Sequence, residues 1–236
     1  MAKVGNNINS KKGNWNFSKK KVVDNFNNHI LKSVPLYNEG HNLIINLSEF
    51  FLKKNSICYD IGCSTGELIK KIDNSLKIKS NKYYGIDTEK NMIQFAKKNN
   101  KNKKITFVNS DISKVKLKKS DLIICYYTMQ FIKPKRRVEI LKKIYKSLNW
   151  GGGFIMFEKV RAPDARFQDL MLKIYDEFKI ENGFSLEEIA SKTRSLYGIL
   201  EPFSTNGNRQ ILKAAGFKDV MTISKYICFE GFLAIK

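Results

Sequence analysis

The spacing of apolar residues changes near residue 57. Before it they recur three and four apart: Val22, Val23, Phe26 and Ile30 mark one amphipathic helix, and Leu43, Ile44, Leu47, Phe50 and Phe51 a second. Pro35, in Ser33-Val34-Pro35-Leu36-Tyr37, separates the two, because the residue before a proline avoids helical geometry. Beyond residue 57, short apolar runs alternate with amphipathic stretches. Strands are predicted at 57–61, 83–86, 105–108, 122–127 and 154–157, with helices near 67–72, 90–98 and 136–148 between them. Residues 163–182 and 185–192 read as helices. The chain closes with two strand-like runs, 220–229 and 232–235, joined at Glu230-Gly231.

Strands alternating with helices predict an α/β fold with a Rossmann-like, doubly wound, mostly parallel sheet. The helical N-terminal extension and an antiparallel C-terminal hairpin complete it. Residues 1–14, polar and without apolar period, are expected to form a disordered tail. Residues 15–236 then make one domain, with 15–54 as helices capping the site and 160–200 as a helical insertion.

Composition adds limits. With 42% hydrophobic residues in 236, a core of ordinary size can form. No apolar run approaches the ~18 residues of a membrane span, and the polar start lacks a signal-peptide centre, so the expected location is cytoplasmic, without a membrane partner. Cys58, Cys63, Cys125 and Cys228 show no CxxC spacing, so buried thiols are expected rather than a metal site or a disulfide framework. The formal charge is +21. It raises nucleic acid as a partner, since basic surfaces displace counterions from phosphates. Only six of the 43 basic residues are Arg, however. Lys and Asn are also what an AT-rich genome writes on any solvated surface.

The chemistry concentrates where strands end. Asp60-Ile61-Gly62-Cys63-Ser64-Thr65-Gly66 links the first strand of the alternating region to its helix, and glycine there allows a sharp bend and a close ligand approach. Asp87 ends the next strand, where an acid accepts hydrogen bonds from ribose hydroxyls. Asp111 ends the third, in Asn109-Ser110-Asp111-Ile112. Alone, each reads equally as a turn or a helix cap. Together they lie at the carboxyl ends of successive strands, where open α/β sheets bind ligands. The loop departs from G-x-G-x-x-G, because Ser64 replaces the second glycine, which argues against a dinucleotide pyrophosphate. S-adenosylmethionine (SAM) has no phosphate, and Asp60 is placed to receive its amino group.

The pattern resembles that of class I SAM-dependent methyltransferases, and more closely the carboxy-SAM synthase family with its methyltransferase relatives. The resemblance runs from Trp15 onward. It rests on Ser33-Val34-Pro35-x-Tyr37, Tyr59-Asp60-x-Gly62-Cys63-Ser64-x-Gly66, Gln130-Phe131, Lys143-Ile144-Tyr145-x-x-Leu148-Asn149-x-Gly151-Gly152, Glu158-Lys159 and Lys213-Ala214-Ala215-Gly216-Phe217. It implies that SAM is held by Tyr37, by Gly62, Cys63 and Ser64, by Asp87 and Thr88 (where Asn is usual), and by Asp111 and Ile112. It also implies a homodimer. In the synthase, SAM and prephenate give carboxymethyl-SAM, used to modify a tRNA wobble uridine.

Two positions depart from the synthase. Tyr126 stands where a cofactor-touching Asn is expected. Thr193 stands where an Arg would pair with the new carboxylate, and Arg194 follows one residue late, ~100° around a helix. The sequence therefore predicts a SAM-dependent methyltransferase, with an acceptor left open between a small molecule and RNA. Tyr37, Tyr126 and Arg194 are its catalytic candidates, aromatic faces being suited to a cationic sulfonium. A carboxy-SAM synthase is the alternative, and a non-catalytic SAM-binding module is a third reading. His29 is read as structural.

Overall fold

The computed structural model describes residues 1–236. In chain order the elements are β1 (Ala2–Lys3), β2 (Asn9–Ser10), α1 (Lys20–Ser33), α2 (Tyr37–Phe51), β3 (Ile57–Ile61), α3 (Glu67–Leu76), β4 (Lys82–Asp87), α4 (Lys90–Asn99), β5 (Ile105–Asn109) and β6 (Ser120–Tyr126). A single 3-10 turn (Met129–Phe131) follows, then α5 (Pro134–Ser147), β7 (Leu148–Lys159), α6 (Ala165–Glu181), α7 (Leu186–Ser195), α8 (Thr205–Ala215), β8 (Asp219–Tyr226) and β9 (Phe229–Ile235). No helix is long and apolar enough to cross a membrane.

Local chemistry sets many of these boundaries. Pro134 opens α5, where its missing N–H costs nothing. Ser185 and Glu188 form a reciprocal capping box at the start of α7. Asp164 and Ser204 cap α6 and α8 through their side-chain oxygens.

The seven-stranded sheet has the order β5-β4-β3-β6-β7-β9-β8. β3 to β7 run parallel, and β9 inserts antiparallel between β7 and β8. Alternate residues of each central strand feed opposite layers, as a period of two requires. Ile123 and Cys125 of β6 join Ile140, Leu141, Ile144, Phe154 and Phe232 on one face. Leu122, Ile124 and Tyr126 join Ile44, Leu68, Ile69 and Ile155 on the other. All four cysteines are buried and unpaired.

Two expectations are corrected, and one helix is new. Residues 1–14 form a small antiparallel hairpin instead of a disordered tail. Val4 is 0% exposed and Ile8 2%. They pack with Trp15, Val22, Val23 and Met92, and the segment is tied to the end of α7 by Gly13 N–H to Arg194 O (2.9 Å) and Trp15 N–H to Ser195 O (3.1 Å). Two apolar residues in a polar run give no periodic signal; they order because distant helices supply the surface that buries them. The C-terminal turn lies at Ile227-Cys228, with Ile227 at φ 51°, so Glu230 and Gly231 belong to β9. The helix α8 was not anticipated, because its first turn, Thr-Asn-Gly-Asn, has poor helix propensity. The Ser204 cap and the burial of Leu212 and Ala215 hold it.

Candidate active site

At the carboxyl edge of the sheet, β3 lies between β4, which leads the chain one way, and β6, which leads it the other. That reversal opens a crevice. The loop after β3 lines it and is pinned to β4: Gly62 N–H and Cys63 N–H both donate to Ile86 O, at 2.7 and 3.1 Å, and Gly66 N–H closes the turn onto Cys63 O. Ser64 N–H donates to Asp87 Oδ2 at 2.8 Å. Gly62 has φ +76°, and a Cβ there would stand 2.2 Å from Thr128 Oγ1. Thr128 in turn donates to Ile61 O at 2.9 Å. The glycine is therefore fixed by backbone conformation and by a neighbouring side chain.

The crevice is the floor of a cavity of about 1110 Å3. The ordinary range for one small ligand is ~300–1,000 Å3, so a second small molecule has room beside a nucleoside. Tyr37, Asp60, Gly62, Cys63, Ser64, Asp87, Thr88, Asp111, Ile112 and Tyr126 all line it. Gly66 lies behind the loop, packed on Phe107, and shapes the turn from outside. Arg194, expected as a catalytic residue, is not in the lining; it is exposed on α7, its Nε directed at Ala190 O. From Lys192, which does face the cavity, two residues turn a helix ~200°, and that phase carries Arg194 outward.

The acids differ in state. Asp60 is 2% exposed; burial, then the charge of Asp87, pushes its carboxyl up to about 7. No protein hydrogen bond offsets this. Asp87 is also raised, by burial, while the N–H groups of Glu89 (2.9 Å) and Ser64 oppose the rise. At Asp111 burial opposes the charge, but the Ser113 N–H and the Arg136 guanidinium (3.2 Å) outweigh it and hold the carboxyl low. One unpartnered buried carboxyl and two ionisable neighbours suit a ligand bearing an ammonium and a sulfonium. The residues present fit SAM, which carries both groups.

Aromatic rings close the other side. Tyr37 begins α2 directly after Leu36, at φ 53°. Its ring lies 4.7 Å from that of His41, 5.0 Å from Tyr126 and 6.3 Å from Tyr127. Tyr126 is 8% exposed, and its hydroxyl is engaged with Tyr37 O at 2.7 Å. The position expected to carry a cofactor-touching side chain thus also braces the loop that carries Tyr37. His41 is buried and held neutral, pushed down to about 3 by burial and by Lys71. Gln130 and the Glu158-Lys159 pair interlock: Glu158 Oε1 accepts from Met129 N–H, and Gln130 Oε1 accepts from Lys159 N–H. Among the cavity residues without a role in the sequence reading are Thr128, Lys179 and Lys192.

The family described as "Methyltransferase domain" matches residues 58–152. Over 94% of its length this chain is 37% identical to a carboxy-S-adenosyl-L-methionine synthase of Staphylococcus epidermidis, covering 97% of that relative. A protein of the same name from Campylobacter hominis is 38% identical, with 91% and 92% covered. The chain belongs to the carboxy-S-adenosyl-L-methionine synthase family. That family is a branch of the class I SAM-dependent transferases, so the reading as a non-catalytic module falls away. Solved structures support the fold alone. The plantazolicin methyltransferase in complex with SAH aligns with a TM-score of 0.65 at 16% identity over 92% of this chain and 90% of its own. Human N-acetylserotonin methyltransferase gives 0.61 at 20% identity, over 88% and 54%.

Proposed function

We propose that this chain makes carboxy-SAM for tRNA wobble-uridine modification from SAM and prephenate: the ring carboxylate of prephenate leaves as CO2 while its ring hydroxyl is expelled, giving phenylpyruvate; the expelled hydroxide takes a proton from the SAM methyl group to form water, and the methyl carbon bonds to the CO2. The observation that carries the reading is a single cavity of about 1110 Å3 with SAM-suited acids on its sheet side and further volume under α6 and α7. Similarity to carboxy-SAM synthases over more than nine-tenths of the chain supports the same reaction. This reading replaces simple methyl transfer, which Thr193 and Tyr126 had favoured in the sequence. The chain's own contribution is positioning: acids orient the cation, Tyr37, Tyr126 and Tyr127 flank the sulfonium, and the N-terminal segment with α6 and α7 lines the rest of the cavity.

The test is one incubation of the purified protein with SAM and prephenate, read by mass. A carboxy-SAM peak is expected. Its absence, with SAM still bound, would return the chain to the methyltransferases of undetermined acceptor.

A further inference from the structure

Away from the β3 loop, the cavity wall is built from α6, α7 and the end of β7, and it carries three lysines. Lys159, Lys179 and Lys192 all face the cavity. Lys159 Nζ and Lys179 Nζ lie 4.4 and 4.2 Å from the centroid of the Tyr175 ring, so one ring holds two ammonium groups. Lys192 Nζ is 3.6 Å from the Trp15 ring centroid and donates to His29 Nε2. His29 is buried and stays neutral, pushed down to about 2 by burial and by Lys192 itself. It offers Lys192 a lone pair and no charge.

Only Lys179 has an acid partner, Asp176 at 2.6 Å. Lys159 and Lys192 make no ion pair. Aromatic faces and a neutral imidazole fix where an ammonium lies without cancelling it. An ammonium withdrawn from water without a counter-charge is costly, and apolar side chains of similar length would pack the same space more favourably. Both lysines register that cost. Burial, then the charge of Lys179, pulls Lys192 well below its ordinary range, and burial lowers Lys159. The fold does not need these charges; an anion entering the cavity would.

We propose that Lys159, Lys179 and Lys192 form an anion subsite that takes the two carboxylates of a small dicarboxylate second substrate. Two of the cations flank Tyr175 and the third lies against Trp15, giving two cationic poles. Tyr175, Phe184 and Phe229 supply apolar surface for a ring-shaped body between them. The subsite is continuous with the cofactor side: Tyr175 packs on Phe229 at 5.2 Å, Phe229 on Tyr127 at 5.7 Å, and Tyr127 faces Tyr37. Prephenate as the ligand rests on the proposed reaction; the subsite's preference for a dicarboxylate does not.

The experiment titrates SAM-loaded protein with prephenate by calorimetry, and separately measures carboxy-SAM formation against prephenate concentration. Variants are Lys159→Met, Lys192→Met, the matching Arg substitutions, and Lys135→Met as an exposed control. Each Met variant is expected to weaken prephenate binding, and raise its KM, at least tenfold, with SAM affinity within twofold of wild type. The Arg variants should recover most of the loss and Lys135→Met should change nothing. SAM affinity reports folding, so either Met variant that retains it decides. Prephenate binding or KM unchanged in such a variant overturns the subsite, even if carboxy-SAM is made. Lysine-dependent prephenate binding without carboxy-SAM formation upholds the subsite and overturns the reaction instead.

Discussion

The hydroxyl of Tyr126, at the end of β6, donates to the backbone carbonyl of Tyr37, the first residue of α2, at 2.7 Å. The ring reaches that carbonyl across Gly40, where a Cβ would stand 2.2 Å from Tyr126 Oη. One bond thus joins the sheet edge to the helix that caps it, and it sets where the Tyr37 ring meets the cofactor space.

Tyr126→Phe should lower stability by about 1 kcal/mol, the net value of a buried hydrogen bond, and weaken SAM binding several-fold. Gly40→Ala gains up to ~1 kcal/mol in helix propensity but drives its methyl into a wedged ring, so a net loss of about 1–3 kcal/mol is expected. Because the clash is chiefly with the hydroxyl, Gly40→Ala should cost less in the Tyr126→Phe background. Thermal melts of the four proteins check this; additive losses would remove the hydroxyl from the account.

Asp60→Asn should stabilise the free protein and weaken SAM. In the folded chain the carboxyl titrates near 7, above its ordinary 3.8. The folded state therefore holds the proton more tightly than the unfolded one. Its contribution is most favourable below pH ~4 and is lost as pH rises through ~7. The variant should match wild type near pH 4 and gain on the order of 2–4 kcal/mol by pH 8, while SAM affinity falls at least tenfold. A wild-type melting point at pH 8 in the variant would contradict the buried charge.

Gly62→Ala should damage both fold and binding. The residue has φ +76°, and its new methyl would meet Oγ1, Cγ2 and Cβ of Thr128 at 2.2, 2.5 and 2.8 Å. Strain and clash together predict a loss of about 2–4 kcal/mol. Thr128→Ala removes two of the three clashing atoms. The double variant should therefore melt higher than the sum of single effects allows; strict additivity in the melts would mean Thr128 is not the obstacle.

Arg194→Ala should leave SAM affinity and product formation within twofold of wild type, since the side chain is exposed outside the cavity. Steady-state assays with prephenate measure this. A tenfold loss of carboxy-SAM formation with the fold intact would require Arg194 to reach the substrate by a movement of α7.

The sequence by itself determined the parallel α/β core, the Asp60–Gly66 loop and the acids at successive strand ends, because period, turn residues and strand-end positions are local properties. The loop residues and Asp87 and Asp111 meet in the structure for that reason. Tyr37 entered only through the family resemblance, carried by Ser33-Val34-Pro35-x-Tyr37. What the sequence could not show was anything resting on contacts between distant segments. Val4 and Ile8 order only against α1 and the end of α7. Tyr126 is committed to a carbonyl 89 residues earlier. On α7, helical phase alone sends Lys192 into the cavity and Arg194 out of it, so the cation next to the expected position turned away and an unremarked lysine turned in. In a chain with 43 basic residues, only burial distinguishes an ammonium that water screens from one that lacks a counter-charge, and burial belongs to the tertiary structure.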